Sequence, residues 1–92
     1  MTFVNVKFGK SFNYFLVDLK GNVSQLSKLC MQHLAKDPSY TPILTYGKTV
    51  LDNTDNLELL QIGPESVVEL KFKHQTKMDE KTMEVQYEYI TE

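Results

Sequence analysis

The segment Thr41–Phe72 constrains the fold of this chain more than any other part of its sequence. Two short apolar runs flank a Gly-Lys turn at 47–48, and a polar loop rich in Asp and Asn follows. A short apolar run at 57–62 comes next, then a Gly-Pro turn at 63–64 and a last run in which apolar and polar residues alternate. This order predicts short strands separated by tight turns, with one helical turn between the last two strands.

The first half of the chain predicts a hairpin followed by a helix. Apolar and polar residues alternate over 3–8 and 11–17, and Gly9 between them supplies the positive φ that a two-residue hairpin turn requires. Apolar residues then recur at spacings of three and four over Val23–Ala35, which predicts a helix. Asn22 is its expected N-cap, with Gln25 completing a capping box.

These elements together predict an α+β fold in which one amphipathic helix covers one face of a sheet.

Composition limits the functions that are open to the chain. Ninety-two residues suit one small domain with little room for a deep active-site cavity. The net charge is −2 and the sequence contains no Arg, which argues against a nucleic-acid partner. The sequence shows no signal-peptide pattern and no apolar run of membrane-spanning length, so we expect no membrane partner and a location in the cytoplasm or nucleus.

The residues that could act in catalysis or metal binding are better explained by structural roles. Cys30 is the single cysteine of the sequence, which excludes an internal disulfide and a metal site built from several thiolates. It lies in the apolar stripe of the helix, three residues before His33. A buried structural thiol is therefore expected rather than a nucleophile with its base. His33 and His74 lack a ligand set, and Asp52 and Asp55 suit a turn better than a calcium loop. We expect no catalytic residue, metal or cofactor.

Residues 1–73 resemble a ubiquitin-like β-grasp domain. The apolar positions from Val17 to Cys30 match the register of ubiquitin without a gap. The pattern Ile43-Leu44-x-x-Gly47-Lys48 is similar to a strand and turn of that family, and one inserted residue restores the register for Leu57, Ile62, Glu65, Ser66, Val68 and Leu70. The resemblance implies the same fold, an α+β arrangement with one main helix packed across a mixed sheet, and a function in protein recognition. The core expected for this fold comprises Val4, Val6, Val17, Val23, Leu26, Cys30, Ile43, Leu51, Leu57, Ile62, Val68 and Leu70. Ubiquitin is conjugated through a terminal Gly-Gly, whereas no Gly follows Gly63 here, so we expect a chain that is not conjugated by that chemistry.

The resemblance also implies a binding face on the sheet. Leu44 corresponds to the apolar anchor of the ubiquitin recognition patch, and Gly47 and Lys48 correspond to the adjacent turn. Glu69 and Lys71 replace a His and a Val of that patch, and Phe8 stands in for the Leu of the first loop. The expected site is the mixed apolar and charged set Phe8, Leu44, Gly47, Lys48, Glu69 and Lys71.

A second surface is expected on the second strand. If Phe15 and Val17 point into the core, then an apolar stripe made of Phe12, Tyr14 and Leu16 faces outward. A slip of one residue in the pairing register would bury that stripe instead, and the sequence leaves both alternatives open.

The C-terminal part reads as a polar linker over 74–82 followed by a tail over 83–92. Apolar residues alternate in the tail at Met83, Val85, Tyr87 and Tyr89. The tail is either disordered or an additional β-strand, and we predict a strand that pairs with a free sheet edge of this chain or of a neighbour, packing its apolar face on the second-strand stripe.

The sequence thus predicts a non-catalytic ubiquitin-like module that binds protein partners through the Leu44-centred face. Modules of this kind recruit the proteasome, a chaperone or other ubiquitin-pathway machinery. The alternative is a structural subunit that self-associates through its sheet edges, including the C-terminal strand.

Overall fold

Glycine turns close the two hairpins of the chain. The computed structural model describes residues 1–91. In it, β1 (Thr2–Phe8) and β2 (Ser11–Val17) pair antiparallel around Gly9, which has a φ of 61°. The short pair formed by β3 (Thr41–Tyr46) and β4 (Thr49–Val50) turns at Gly47, which has a φ of 64°. The expected positive φ at the first loop position is present in both turns.

The last long strand joins the two hairpins into one sheet. β5 (Val67–Met78) lies between β1, to which it is parallel, and β3, to which it is antiparallel. The resulting strand order is β2-β1-β5-β3-β4, and β6 (Val85–Ile90) also pairs with β5. This mixed sheet with one helix across it confirms the predicted α+β fold.

The helix α1 (Ser24–His33) is shorter than the predicted span and starts differently. Val23 is its N-cap residue, and no side chain caps the helix. The Gln25 side chain instead donates to the backbone oxygen of Asp18 at 2.9 Å and accepts from the Asp18 N–H at 3.1 Å. The predicted Asn22–Gln25 capping box is therefore wrong, because Gln25 fastens the helix start to the loop that leaves β2. None of the helical structure in residues 1–91 is long and apolar enough to cross a membrane.

The core contains eleven of the twelve predicted residues and differs in the strand β3. Leu44, with 2% of its surface exposed, is in the core, while Ile43 is only partly buried. The pairing register explains the exchange, because Leu44 lies opposite the buried Leu70 and Ile43 opposite Lys71. Phe72 also joins the core.

The apolar run at 57–62 folds as a set of turns rather than a regular helix. Leu57 and Ile62 are both buried, and the N–H of Ile62 bonds to the Leu57 oxygen at 3.1 Å. Gln61, just before Ile62, has a φ of 60°, which ends the turn in the left-handed region.

The C-terminal part forms a long hairpin. β5 continues to Met78, so the structure differs from the polar linker expected over 74–82, and only 79–84 connect the two strands. The predicted additional strand is observed at Val85–Ile90 and pairs antiparallel with β5, with Ile90 opposite Phe72. It does not pair with β2 or cover the second-strand stripe. Glu92, the last residue of the predicted tail, lies outside the described residues.

Candidate functional site

The sheet has one covered face and one open face. Val4 and Val6 point toward α1 and are fully buried, so the residues that alternate with them point to the opposite side, which we call the outer face. The strand registers bring onto this face Phe3, Asn5 and Lys7 of β1; Phe12, Tyr14 and Leu16 of β2; Val67, Glu69, Lys71 and Lys73 of β5; and Ile43 and Thr45 of β3.

Large apolar side chains occupy the β2 side of the outer face. Phe3 lies opposite Leu16 in the β1–β2 pairing, and Tyr14 lies diagonal to Phe3 and two residues before Leu16 on β2. The members of this apolar patch are between 39% and 62% exposed, and they are Phe3, Phe12, Tyr14, Leu16 and Val67. Single exposed apolar residues are ordinary, but a group of neighbouring large ones marks a surface for interaction.

A polar group is buried beneath this apolar patch. Asn5 lies between Tyr14 on β2 and Val67 on β5 and is 8% exposed. Its Nδ2 donates to the Tyr14 hydroxyl at 3.4 Å, and its Oδ1 has no hydrogen-bond partner among residues 1–91. Burial of such a group without a partner costs about 1–3 kcal/mol, so Asn5 lowers the stability of the fold at this point.

Lysines that lie against aromatic rings occupy the middle of the outer face. The Lys7 Nζ is 5.9 Å from the centroid of the Phe12 ring. On the hairpin, Lys71 lies 4.7 Å from the Tyr89 ring and Lys73 lies 3.8 Å from the Tyr87 ring. Contacts of this kind hold each cation near the sheet surface.

These three residues form a lysine band, in which Lys7 lies opposite Glu69 and Lys71 and Lys73 follow Glu69 on the same face of β5. The band makes this face positive although the chain has a net charge of −2. A shallow pocket of about 380 Å³ lies within the band, where the ends of β1 and β6 approach each other along β5.

The residues of the first predicted site do not share one face. Glu69 and Lys71 lie on the outer face, and Gly47 and Lys48 are exposed in the β3–β4 turn. Leu44 lies in the core, so the predicted Leu44-centred face is wrong.

Phe8, the last residue of that predicted site, also lies on the helix side, with its ring 5.3 Å from that of Phe72. Adjacent apolar residues at 43 and 44 leave the register open in sequence, and β3 takes the register that turns the partly buried Ile43 to the outer face.

The second predicted surface lies where the sequence placed it. Val17 is buried, Phe15 packs against the core, and Phe12, Tyr14 and Leu16 face outward. Sequence reasoning missed the neighbours of this stripe, Phe3, Asn5 and Val67. The alternation of β1 contained the signal for Phe3 and Asn5, because side chains alternate along a strand and Val4 and Val6 point to the helix side. Phe3 and Asn5 must then point to the outer face.

The side chains that could support covalent chemistry are committed to the fold. Burial raises the pKa of the Cys30 thiol to about 12, which keeps it protonated. His33 stacks on Phe15 with the ring centroids 5.6 Å apart. His74 pairs with Glu88 of β6 at 3.3 Å. No three His, Cys, Asp or Glu side chains converge as a metal site within residues 1–91.

The acidic loop before the apolar turn is held by its own hydrogen bonds. Asp52 Oδ1 accepts from the N–H of Thr54 at 3.1 Å and from its hydroxyl at 3.0 Å, and both bonds hold the pKa of the Asp52 carboxyl below its ordinary value. Asp55 in turn accepts from the Asp52 N–H at 2.9 Å. Both carboxylates thus act as turn formers.

Comparison with known proteins identifies the fold. No family model and no curated protein matches this sequence. Among solved structures, ATBAG1 in its crystal structure with HSP70 is similar, with a TM-score of 0.68 and 17% identity over 76% of this chain. The similar part spans 39% of the ATBAG1 chain.

A second similar structure is the NMR solution structure of a computationally designed protein based on human erythrocytic ubiquitin. It has a TM-score of 0.67 and 21% identity, and the match covers 86% of this chain and all of the designed one. The chain therefore has the ubiquitin-like β-grasp fold that its sequence predicted.

Proposed function

We propose that this chain is a non-catalytic protein-interaction module that binds its partner through the outer face of the sheet. The observation that carries the proposal is the uncovered apolar patch on β1 and β2. α1 covers the other side of the sheet, and β6 pairs with β5 and does not cover the patch. Aromatic side chains supply most of this patch, and aromatic residues are enriched in the central contacts of protein interfaces.

Charge defines the chemistry of the expected partner. Lys7 lies opposite Phe12 at one end of the apolar patch, and Lys71 and Lys73 continue the lysine band along β5. The aromatic contacts of these side chains limit their freedom. A partner that presents apolar side chains flanked by carboxylates fits this arrangement. Ion pairs between lysines at the rim of an interface and carboxylates of the partner affect mainly the association rate and its dependence on salt concentration.

The absence of a catalytic role is part of the proposal. It is supported by the burial of Cys30, which raises the pKa of its thiol to about 12, and by the stacking of the His33 ring on Phe15.

A partner in the chaperone system is the finer part of the proposal. ATBAG1, which is similar in fold, was crystallised in complex with HSP70. We extend to this chain a role in recruiting a chaperone, the proteasome or other ubiquitin-pathway machinery in the cytoplasm or nucleus. The fold is compatible with each of these partners.

A structural subunit that self-associates is the second candidate. The C-terminal strand is paired within the chain, and its sequence contains Glu88, so this strand gives weak support for edge pairing. A different edge, that of β2, gives stronger support.

Quantitative pulldown with three baits tests the outer-face proposal. The baits are the wild type, the double variant Phe12→Ser with Leu16→Ser, and the control Leu59→Ser. Leu59 is 84% exposed in the loop before β5, so its replacement makes the same chemical change away from the outer face. We expect the double variant to lose bound partners at least about fivefold, because removing an interface anchor costs more than about 1 kcal/mol. The control should retain them. Equal bound sets for all three baits would remove the apolar patch from the site.

A further inference from the structure

The strand β2 is an edge strand without the usual protection against pairing. It ends the sheet on one side, and seven consecutive residue pairs join it to β1 without a bulge. Ser11–Val17 contains no charged residue and no proline. Native sheets block such edges with charges, proline, bulges or short strands, because an open edge is a template for another strand.

The other edges of the sheet have that protection. β4 is only two residues long, and β3 beside it contains Pro42. β6 contains Glu88, and the pairing of β5 with β6 is interrupted by a register shift between Gln75 and Lys77. The exception at β2 is therefore specific to one strand.

The hairpin register determines which backbone groups of β2 are free. A two-residue turn makes Phe8 and Ser11 a hydrogen-bonded pair, and bonded and non-bonded pairs then alternate along the ladder. Phe12, Tyr14 and Leu16 occupy the non-bonded positions opposite β1. Their N–H and C=O groups consequently point away from the sheet, at the free edge.

We propose that β2 pairs antiparallel with β2 of a second copy of this chain, centred on Tyr14. In this two-fold register Tyr14 faces Tyr14 of the second copy, and Phe12 faces Leu16 at both ends. The three residues on each strand then exchange about six backbone hydrogen bonds across the edge. Their side chains form aromatic and aromatic–aliphatic cross-strand pairs, which stabilise antiparallel sheets.

Charges at the two ends of β2 select a second copy as the occupant. Lys10 immediately precedes the strand and Asp18 immediately follows it, and both are exposed. The same two-fold register brings Lys10 opposite Asp18 of the second copy, and the reverse at the other end. The edge is thus complementary to itself in charge as well as in shape.

The pairing leaves the outer face open. The two sheets become continuous, and the apolar patches of both copies meet along the joined edge. The proposal rests on the second candidate function, self-association, for which it names the edge and the register. It does not rest on the outer-face function, because backbone groups carry it and a monomer could use the same face.

Sedimentation equilibrium and charge reversal test the proposal together. An edge contact of this size is at the low end of protein interfaces, so we expect dissociation in the micromolar range. The mass of the wild type should rise with concentration from 10.7 kDa toward that of a dimer. K10E alone and D18K alone each create like-charge contacts at both ends, and each should dissociate about tenfold more readily.

An equal mixture of K10E and D18K should restore the dimer, because each variant is then complementary to the other. Thermal unfolding checks that D18K still folds, since Asp18 also accepts from the Lys20 N–H at 3.0 Å. A wild type that remains monomeric at every concentration, or a mixture no tighter than its components, would overturn the proposal.

Replacement of Tyr14 by proline provides an independent test. Proline removes an N–H that points to the free edge, so the β1–β2 ladder tolerates it while the second copy loses a central bond. We expect Tyr14→Pro to be monomeric with an unchanged folded spectrum. A folded Tyr14→Pro variant that still dimerises would place the contact elsewhere and contradict the proposal. If the fixed φ of proline unfolds the variant, the mixture of K10E and D18K decides the proposal without it.

Discussion

Asn5 places an amide at the centre of the outer face, between Tyr14 and Val67. Its one hydrogen bond, to the Tyr14 hydroxyl, is long at 3.4 Å, and its Oδ1 is buried without a partner in the described part of the chain. Asn5→Val should therefore raise the free energy of unfolding by about 1 kcal/mol, because it removes an unsatisfied buried group and suits a strand. Urea unfolding measures this change. A loss of more than about 1 kcal/mol would show that Asn5 is fully satisfied in the native protein.

Cys30 gives a second prediction at the scale of one residue. Burial raises the pKa of its thiol to about 12, whereas the thiol of an unfolded chain titrates near pH 8.5. At pH 8 the native protein should react with a thiol reagent only through unfolding, so urea should accelerate the labelling by orders of magnitude. Labelling of the native protein at the rate of a free thiol would mean that the helix stripe is open to solvent.

The register of β3 can be tested by two neighbouring substitutions. Leu44→Ala should destabilise the domain by about 2–5 kcal/mol, because it opens a cavity in the core beside Leu70. Ile43→Ala is the matched control on the outer face and should cost much less. The reverse order of the two losses would restore Leu44 to the surface position that the sequence predicted.

The hairpin of β5 and β6 predicts a pattern of amide exchange. Amides of Val85–Ile90 that bond to β5 should exchange slowly, while those of residues 79–84 should exchange fast. Ile90 packs against the core opposite Phe72, so protection should be greatest at that end of the strand. Fast exchange throughout 83–90 would establish that the segment is disordered.

The elements differ in how far their sequence determines them. β1 and α1 each present a clear apolar side, and their core residues were predicted without error. β3 contains two adjacent apolar residues, so its pattern fits either register, and only pairing with β5 decides between them. The extension of β5 over 74–78 has no apolar alternation because this part of the hairpin buries little, and its sequence therefore resembles a linker.

At the scale of the whole molecule, the ubiquitin-like fold followed from the order and spacing of the elements, whereas the site did not. The family resemblance transfers the positions of the strands, and a shift of one residue in β3 is enough to move Leu44 from the surface to the core. The extended hairpin adds Tyr87 and Tyr89 beside Lys73 and Lys71, at a place where the resemblance has no counterpart. The site depends on these local differences, which sequence similarity to the family could not supply.

Photo-crosslinking from Phe12 tests most directly the claim that the outer face binds a protein partner. A photoreactive phenylalanine analogue replaces Phe12 in one sample and Leu59 in a matched sample, since both positions are exposed and only Phe12 lies on the outer face. Adduct masses separate a different protein from a second copy of the chain. The account predicts adducts with a different protein from position 12, weakened by Lys71→Glu, in addition to adducts with the second copy that the β2 pairing places beside Phe12, and few adducts of either kind from position 59. Equal adducts from both positions, or none from position 12, would contradict it.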